Sequence, residues 1–420
     1  MTQAERARLR MLAEKQREYA SLPVMKARQD TWRRVNNGQP AVPPVVIETG
    51  ILMNEYMPDD TTLQCTSPMA RMIERNLAEN ILNHELFNDD KIVPDTYQVF
   101  WDVPVDFYGI GPIVRDNADD GHGHSLGYKI HHPITNLREQ FDILKGPVLT
   151  PDFEGKRAHF ELAKDIFGDI LPPEMVARSG GVCLSLTQHI IMLMGMQEFF
   201  IALMEDPEMV HKLMRLTVDN TVKVKEYMEA HSLLTVNNGC QFNGPTTYSY
   251  TDDLPAKDFD GVHVRGKDVW VWAESQETTG ISPTVFDELI APYYAEACSH
   301  FGLVYYGCCE PVSPFWEKSL SKIPNIRKTS ISRWCDEKVM GDKLRGTNIV
   351  FSRKPDPNFL GVGYTLDEAG WAEHIRTTLE HTKGCQVEFV IRDVCTLSGN
   401  VGKVRTAIDI ARREILKARG

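Results

Sequence analysis

The chain has no long apolar run. Its richest stretch, Ile190-Ile-Met-Leu-Met-Gly-Met196, gives way at once to Gln197 and Glu198, well short of the ~18 uncharged apolar residues that cross a bilayer. No membrane segment is expected, and the charged N-terminus lacks the apolar core of an export signal. Basic clusters are missing as well. The formal charge is −12 and no Lys/Arg-rich run is interleaved with aromatics, so a nucleic-acid partner is not expected. Neither G-x-G-x-x-G nor a Walker sequence occurs, which removes the usual nucleotide-cradling turns. Nor is there the pattern of a disulfide framework. Nine cysteines, an odd number scattered over 420 residues, read as the reduced thiols of a cytoplasmic protein. Adjacent Cys308 and Cys309 are poorly placed to bridge each other, because neighbouring Cα atoms lie closer than a relaxed disulfide prefers.

What is present is ample material for a core: 42% of residues are apolar and 25% charged, the profile of a globular protein. The length suits two ordinary domains or one large α/β barrel with additions. Residues 2 to about 35 mix Glu, Arg, Lys and Ala with spaced Leu, Met and Tyr. They read as a helix, which with the connector Gln39–Pro44 makes an N-terminal helical extension (1–42) before a main body at 43–420. Val45–Glu48 looks like a first strand, Met69–Phe87 like a helix, and Tyr97–Pro104 alternates as a second strand. Phe107–Lys145 is the least regular region. Phe153–Met228 is helical, with a strand-like break at Gly181–Ser185.

The second half carries a repeating beat. Leu233–Asn237, Val269–Ala273, Leu303–Tyr306, Ile326–Ile331, Asn348–Phe351 and Val387–Ile391 read as strands, separated by polar loops and helical patterns. The helix over Pro283–His300 is opened by Ser282 as cap and Pro283 at its first position; others cover Leu366–Thr382 and about Val401 to Lys417. Consecutive strand–loop–helix units imply parallel strands joined by right-handed crossovers. Ionisable or sulfur-bearing residues follow each strand, while the returning turns are plain. That asymmetry belongs to a (β/α)8 TIM barrel, whose active site lies at the C-terminal rim. An open doubly wound sheet is the competitor, and its Gly-rich first turn is missing.

The most informative stretch is Phe301-Gly-Leu-Val-Tyr-Tyr-Gly-Cys-Cys-Glu-Pro311. A short apolar strand ends at Gly307, and Pro311 cannot continue a ladder, so Cys308, Cys309 and Glu310 fall on the loop leaving it. Soft thiolates beside a carboxylate at a strand exit can hold a metal or perform thiol chemistry. Loops after other strands offer Glu274 and Glu277, Cys335, and Cys395 with Asp393. Zinc takes about four thiolate, imidazole or carboxylate donors; Glu274 or Glu277, Cys308 and Cys395 would give a three-ligand set, with Cys309 as substitute. Glu310 and Tyr306 are the candidate catalytic groups, with Tyr306 expected to face the barrel interior. Arg333 and Trp334 could clamp an anion and stack a ring, and Lys354 could contact an anion or carbonyl. Trp272 and Asn238 are further candidate substrate contacts. His122 and His124 belong to an acidic, glycine-rich loop whose spacing lacks further metal ligands; they read as solvated residues of a loop that walls or covers a site.

Three blocks carry a resemblance: "EDPEMVHKLM" (Glu205–Met214), "ISPTVFDELIAPYY" (Ile281–Tyr294) and "YYGCCEP" (Tyr305–Pro311). Together they resemble the uroporphyrinogen decarboxylase-like superfamily, and more closely its corrinoid-dependent methyltransferase branch. "WAESQET" (Trp272–Thr278) and "YYGCCEP" look like marks of a subgroup associated with O-demethylase systems. The resemblance covers about Pro43 to the end and implies a TIM barrel. It also implies methyl transfer from a small methoxylated or methylated substrate to a separate corrinoid protein, and is compatible with a homodimer. Zinc-containing members use His-x-Cys after one strand and Cys after the last. Here Tyr306-Gly-Cys308 replaces His-x-Cys, and Cys395 stands at the final Cys. Either zinc is not held, or ligation shifts to Cys309, Glu310, Glu274 or Glu277. The decarboxylase itself relies on an N-terminal arginine motif with no convincing counterpart here. Decarboxylation of a tetrapyrrole or aromatic acid is the alternative activity, and non-catalytic corrinoid binding a further one.

Overall fold

Parallel pairing joins most of the strands that the apolar pattern picks out. The computed structural model describes residues 1–119, 125–177 and 182–419. Its strands are β1 (Val45–Ile47), β2 (Tyr97–Phe100), β3 (Val105–Asp106), β4 (Arg115–Asp119), β5 (Ser125–Ile130), β6 (Val148–Leu149), β7 (Pro173–Val176), β8 (Cys183–Leu184), β9 (Trp270–Ala273), β10 (Leu303–Tyr306), β11 (Ile326–Ile331), β12 (Val350–Arg353) and β13 (Gln386–Ile391). Seven of them form one sheet in the order β1-β13-β12-β11-β10-β9-β8, and every pairing within it is parallel. β2 and β7 make a separate parallel pair, and β3–β6 and β4–β5 are antiparallel. Among the described residues no ladder joins β1 to β2 or β7 to β8. The architecture is therefore mixed α/β around a seven-stranded parallel sheet. It is TIM-barrel-like, without a closed ladder.

One expected strand explains part of the opening. Leu233–Asn237 runs without regular strand pairing, and its side chains do what a ladder would. Thr235 Oγ1 accepts from the Ala177 N–H at 2.9 Å. The Asn237 amide accepts from the Trp270 N–H at 2.8 Å and donates to the Trp270 carbonyl at 3.2 Å. Two further departures have local causes. The N-terminal helix is split into Gln3–Ala20 and Pro23–Asn36, because Pro23 has no N–H to continue the first helix and its ring favours a first turn. The irregular region contains the antiparallel pair β4–β5: β4 is polar but for Ala118, and the alternation of Leu126, Tyr128 and Ile130 in β5 is short and interrupted by Gly127.

The extension is packed into the body. Leu9, Leu12 and Ala13 share a core cluster with Ile73, Leu77 and Ile81 of the helix Pro68–Leu82 and Ala163 and Ile166 of the helix Phe153–Phe167. Trp32 and Asn36 of the second helix reach the sheet: Trp32 packs with Val46 and Val390, and Asn36 donates to the carbonyls of Tyr248 and Tyr250.

Both faces of the sheet are buried, and the period of two sorts its residues. Ile47, Val271, Ala273, Val304, Tyr306, Ile331, Phe351, Phe389 and Ile391 belong to the main core shared with the crossover helices. The opposite face presents Val46, Trp272, Tyr305, Lys328, Ser352 and Glu388 to the helix Pro23–Asn36 and to the loop around residues 241–250. Gly244 (φ +72°) marks the closest approach of that loop, since a Cβ there would lie 2.6 Å from the Tyr305 ring. Among the described residues no single helix is long and apolar enough to cross a membrane.

Candidate functional site at the strand exits

Because the sheet is parallel, the residues following β1, β9, β10, β12 and β13 leave on one edge. Glu48, Glu274, Cys308, Lys354 and Arg392 occupy those positions. The turn after β10 depends on Gly307 (φ +103°), where a Cβ would meet Ser330 Cβ at 3.0 Å. Its N–H donates to the Ala273 carbonyl, and its carbonyl accepts from the Trp272 indole N–H at 3.0 Å. Glu310 then folds back and ties two exits together. Its carboxyl accepts from the Ser275 N–H at 3.0 Å and from the Cys308 N–H at 2.8 Å.

Three carboxyls gather here without an ion pair among the described residues. Glu274, Glu277 and Glu310 are all buried. Glu277 accepts from Thr187 Oγ1 at 2.8 Å, and Glu274 accepts from the Gln276 N–H at 3.1 Å. Burial, reinforced by Glu277 and Glu310, pushes the Glu274 carboxyl up to about 8. Burial likewise raises Glu310, although the N–H groups of Ser275 and Cys308 oppose it. Nearby Cys183 is pushed up to about 12 by burial, the charges of Glu274 and Glu277 adding to the effect. Glu274 is thus an acid that keeps its proton at neutral pH.

A stability prediction follows from Glu274. Between its ordinary value of 4.5 and about 8, the folded protein holds a proton that the unfolded chain has released. Stability should then fall as pH rises through that window, by up to a few kcal/mol. Glu274→Gln should flatten this slope and raise the urea midpoint at pH 8. A midpoint at pH 8 no higher than that of the parent would count against the protonated carboxyl.

Tyr306 needs a correction. It lies on the helix-facing side, 5.9 Å from the Tyr294 ring, and it is Tyr305 that faces the opposite side. The phase of two consecutive tyrosines in a strand buried on both faces is not marked by polarity. The Tyr306 hydroxyl nevertheless lies 2.5 Å from Ser275 Oγ, in the residue whose N–H Glu310 accepts, and burial raises it well above the usual phenol range.

The thiols form a second group. Cys308 and Cys309 Sγ atoms are 3.6 Å apart. Arg392 Nη1 donates to Cys308 Sγ at 3.4 Å, and Cys309 Sγ contacts Asp393 Oδ2 at 3.6 Å. The sulfur–sulfur hydrogen bond lowers Cys309 and raises Cys308, in a pair that lies beside Arg392. Arg392 also lies 3.5 Å from Glu48.

The expected zinc ligands do not assemble. Cys395 is exposed, its sulfur 3.9 Å from the Asp393 carbonyl, and no contact joins it, Glu274 or Glu277 to Cys308. Cys335 is buried beside Ser313. Among the described residues no three His, Cys, Asp or Glu side chains cluster as a metal would require. As arranged, these side chains do not present a zinc centre.

A cavity of about 450 Å³ opens between the loops after β9, β10 and β11, lined by Gln276, Thr279, Cys309, Glu310, Pro311 and Trp334. Trp334 is 68% exposed and so offers an aromatic wall. Arg333 covers one of its faces at 4.5 Å and is itself held by Asp356 at 2.8 Å. Asn238 is not part of this site. Its amide donates to the Leu254 carbonyl at 2.8 Å, and Leu254 packs on Trp270 and Leu303, the first residues of β9 and β10. That places Asn238 at the other end of the strands. His122 and His124 lie outside the described residues.

A buried network with little to mark it in the sequence lies on the opposite face. Glu388 accepts from Lys328 Nζ at 2.7 Å, Thr247 Oγ1 at 2.9 Å and Ser352 Oγ at 2.6 Å. Lys354 Nζ donates to Tyr305 Oη at 2.6 Å and Ser352 Oγ at 2.7 Å. Burial, with Arg392 and Lys328 nearby, pulls the Lys354 amine down to about 7 against the opposing charge of Glu388. Its one signal is a charge in mid-strand, as in Gln386-Val-Glu-Phe-Val-Ile391.

The fold and site define a mixed α/β protein with buried acids and a thiol pair at the exits of a parallel sheet. No protein-family model matches the chain, and no curated protein matches it.

Proposed function

We propose that the chain is a methyltransferase component that moves a methyl group from a small methoxylated or methylated substrate to a corrinoid protein. The fold is read as a TIM barrel in which β2, β7 and the extended stretch 233–237 complete the wall. The observation that carries the reading is Glu310: a buried carboxyl with a raised proton affinity that lines the strand-exit cavity. Cleaving a methyl–oxygen bond leaves negative charge on the oxygen, and a positioned acid with its proton in place lowers that barrier. Glu310 supplies the proton, whose retention is favoured by burial and by the neighbouring charge of Glu277. Trp334 offers an apolar wall for the substrate, and Arg333 fixes that indole from its other face. The corrinoid of the partner protein supplies the nucleophile that accepts the methyl group, so the partner must dock over the same rim. The sequence resemblance supports the same reaction.

The test mixes the protein, a reduced corrinoid protein and candidate methoxy compounds, and follows the corrinoid absorbance. Methylation should require all three components. Carbon dioxide release from an aromatic acid without a corrinoid protein would replace this reading with decarboxylation. Corrinoid binding without turnover of any methyl donor would leave only a binding role.

A further inference from the structure

The larger cavity of the molecule is elsewhere. About 520 Å³ lies where no ladder joins β1 to β2, bounded by the helix Pro68–Leu82 and its π-helical continuation, the inner face of β2 and the loop around residues 240–248. The helical segment turns Asn76, Glu79, Asn80, Asn83 and His84 towards this chamber. Spacings of three, four, seven and eight place them on one face. Asn83 is buried and the other four are half-buried, so this polar stripe needs an explanation that a fully exposed one does not.

The free groups of this wall include one carboxyl and side-chain amides. The Glu79 carboxyl has no hydrogen bond or ion pair among the described residues, and burial raises its proton affinity against the pull of Lys91 and Arg75. Both those cations are engaged: Lys91 by Asn83 at 2.8 Å and Thr49 at 3.1 Å, Arg75 by Asp59 at 2.5 Å. Asn80 uses its N–H on Gln16 and keeps its carbonyl free. His84 Nδ1 and Gln241 Oε1 are also without partners, but both are shut off from the free space of the chamber. Glu48, the other carboxyl at the wall, is occupied by Arg392. A carboxyl without a direct partner, flanked by amides that both donate and accept, suits a positively charged occupant that carries hydroxyl groups.

We propose that this chamber binds a small polyhydroxylated organic cation, with Glu79 as counter-ion and the side-chain amides of Asn76 and Asn80 bonding to its hydroxyl groups. The site shares no lining residue with the cavity beside Trp334 and does not depend on methyl transfer. Calorimetric titration of the full chain with glucosamine, at a pH where its amine is protonated, and with glucose as neutral isostere, separates charge from shape. Glucosamine should bind at least ten-fold more tightly than glucose. Glu79→Gln should erase that preference, and Asn76→Trp, which fills the chamber, should abolish binding of both sugars. Melting curves establish that each variant is folded; should Glu79→Gln not fold, the sugar pair and Asn76→Trp decide. Equal affinities, no binding of either sugar, or a preference that survives in Glu79→Gln would overturn the assignment.

Discussion

Replacing Glu310 with alanine should lower methyl transfer by at least ~100-fold and cost about 2–5 kcal/mol of stability, from two buried N–H groups left unpaired. The carboxyl is 2% exposed and accepts from Ser275 and Cys308, so its loss loosens the exits of β9 and β10 together. Those two consequences separate with glutamine. Glu310→Gln keeps one carbonyl acceptor but sets an N–H₂ group against the second backbone N–H, so it should be destabilised less than alanine. It has no acidic proton, so its activity should fall as far as that of the alanine variant. Urea midpoints and corrinoid methylation rates on the three proteins check both orders. A glutamine variant with near-parental turnover would assign the acid elsewhere, with Glu274 the next to test.

Legibility in the sequence depends on whether burial leaves a contrast between residues. The apolar strands and the polar exits of β9 to β13 announce the parallel sheet, and Gly307 and Pro311 by their own chemistry place Cys308, Cys309 and Glu310 on a loop. The convergence of Cys309, Glu310 and Trp334 on one cavity follows from parallel strands ending on one edge. What is not legible lacks contrast. Tyr305 and Tyr306 are both fully buried, so sequence alone does not say which faces the helices. The stretch 233–237 has strand-like residues, but its pairing is made by Thr235 and Asn237 side chains, which no period records. Cys395 follows the last strand as expected, yet its loop leaves it exposed, its sulfur against the Asp393 carbonyl of the same loop. The chamber between β1 and β2 is hidden because its polar stripe looks like the solvent face of an ordinary helix until the packing partner is known.

The second large effect is expected at the Lys328–Glu388 pair. Both side chains are fully buried, 2.7 Å apart, and Lys328 Nζ also sits 5.3 Å from the Trp32 ring centroid. Lys328→Met should cost about 3–5 kcal/mol, because it leaves a carboxylate in a dry interior without its direct counter-ion. Burial raises the Glu388 proton affinity, but Lys328 and then Lys354 more than reverse this in the parent protein. Without Lys328 the carboxyl should take up a proton more readily when folded than when unfolded. The penalty should therefore be larger at pH 8 than at pH 6. Removing both charges in Lys328→Met/Glu388→Met should recover much of the loss, since well-packed apolar replacements of a buried pair are often neutral. Unfolding midpoints for the two single variants and the double variant give the coupling. If the two single losses simply add in the double variant, the pair is not acting as a unit and the network beneath Lys354 is held by its hydroxyls alone.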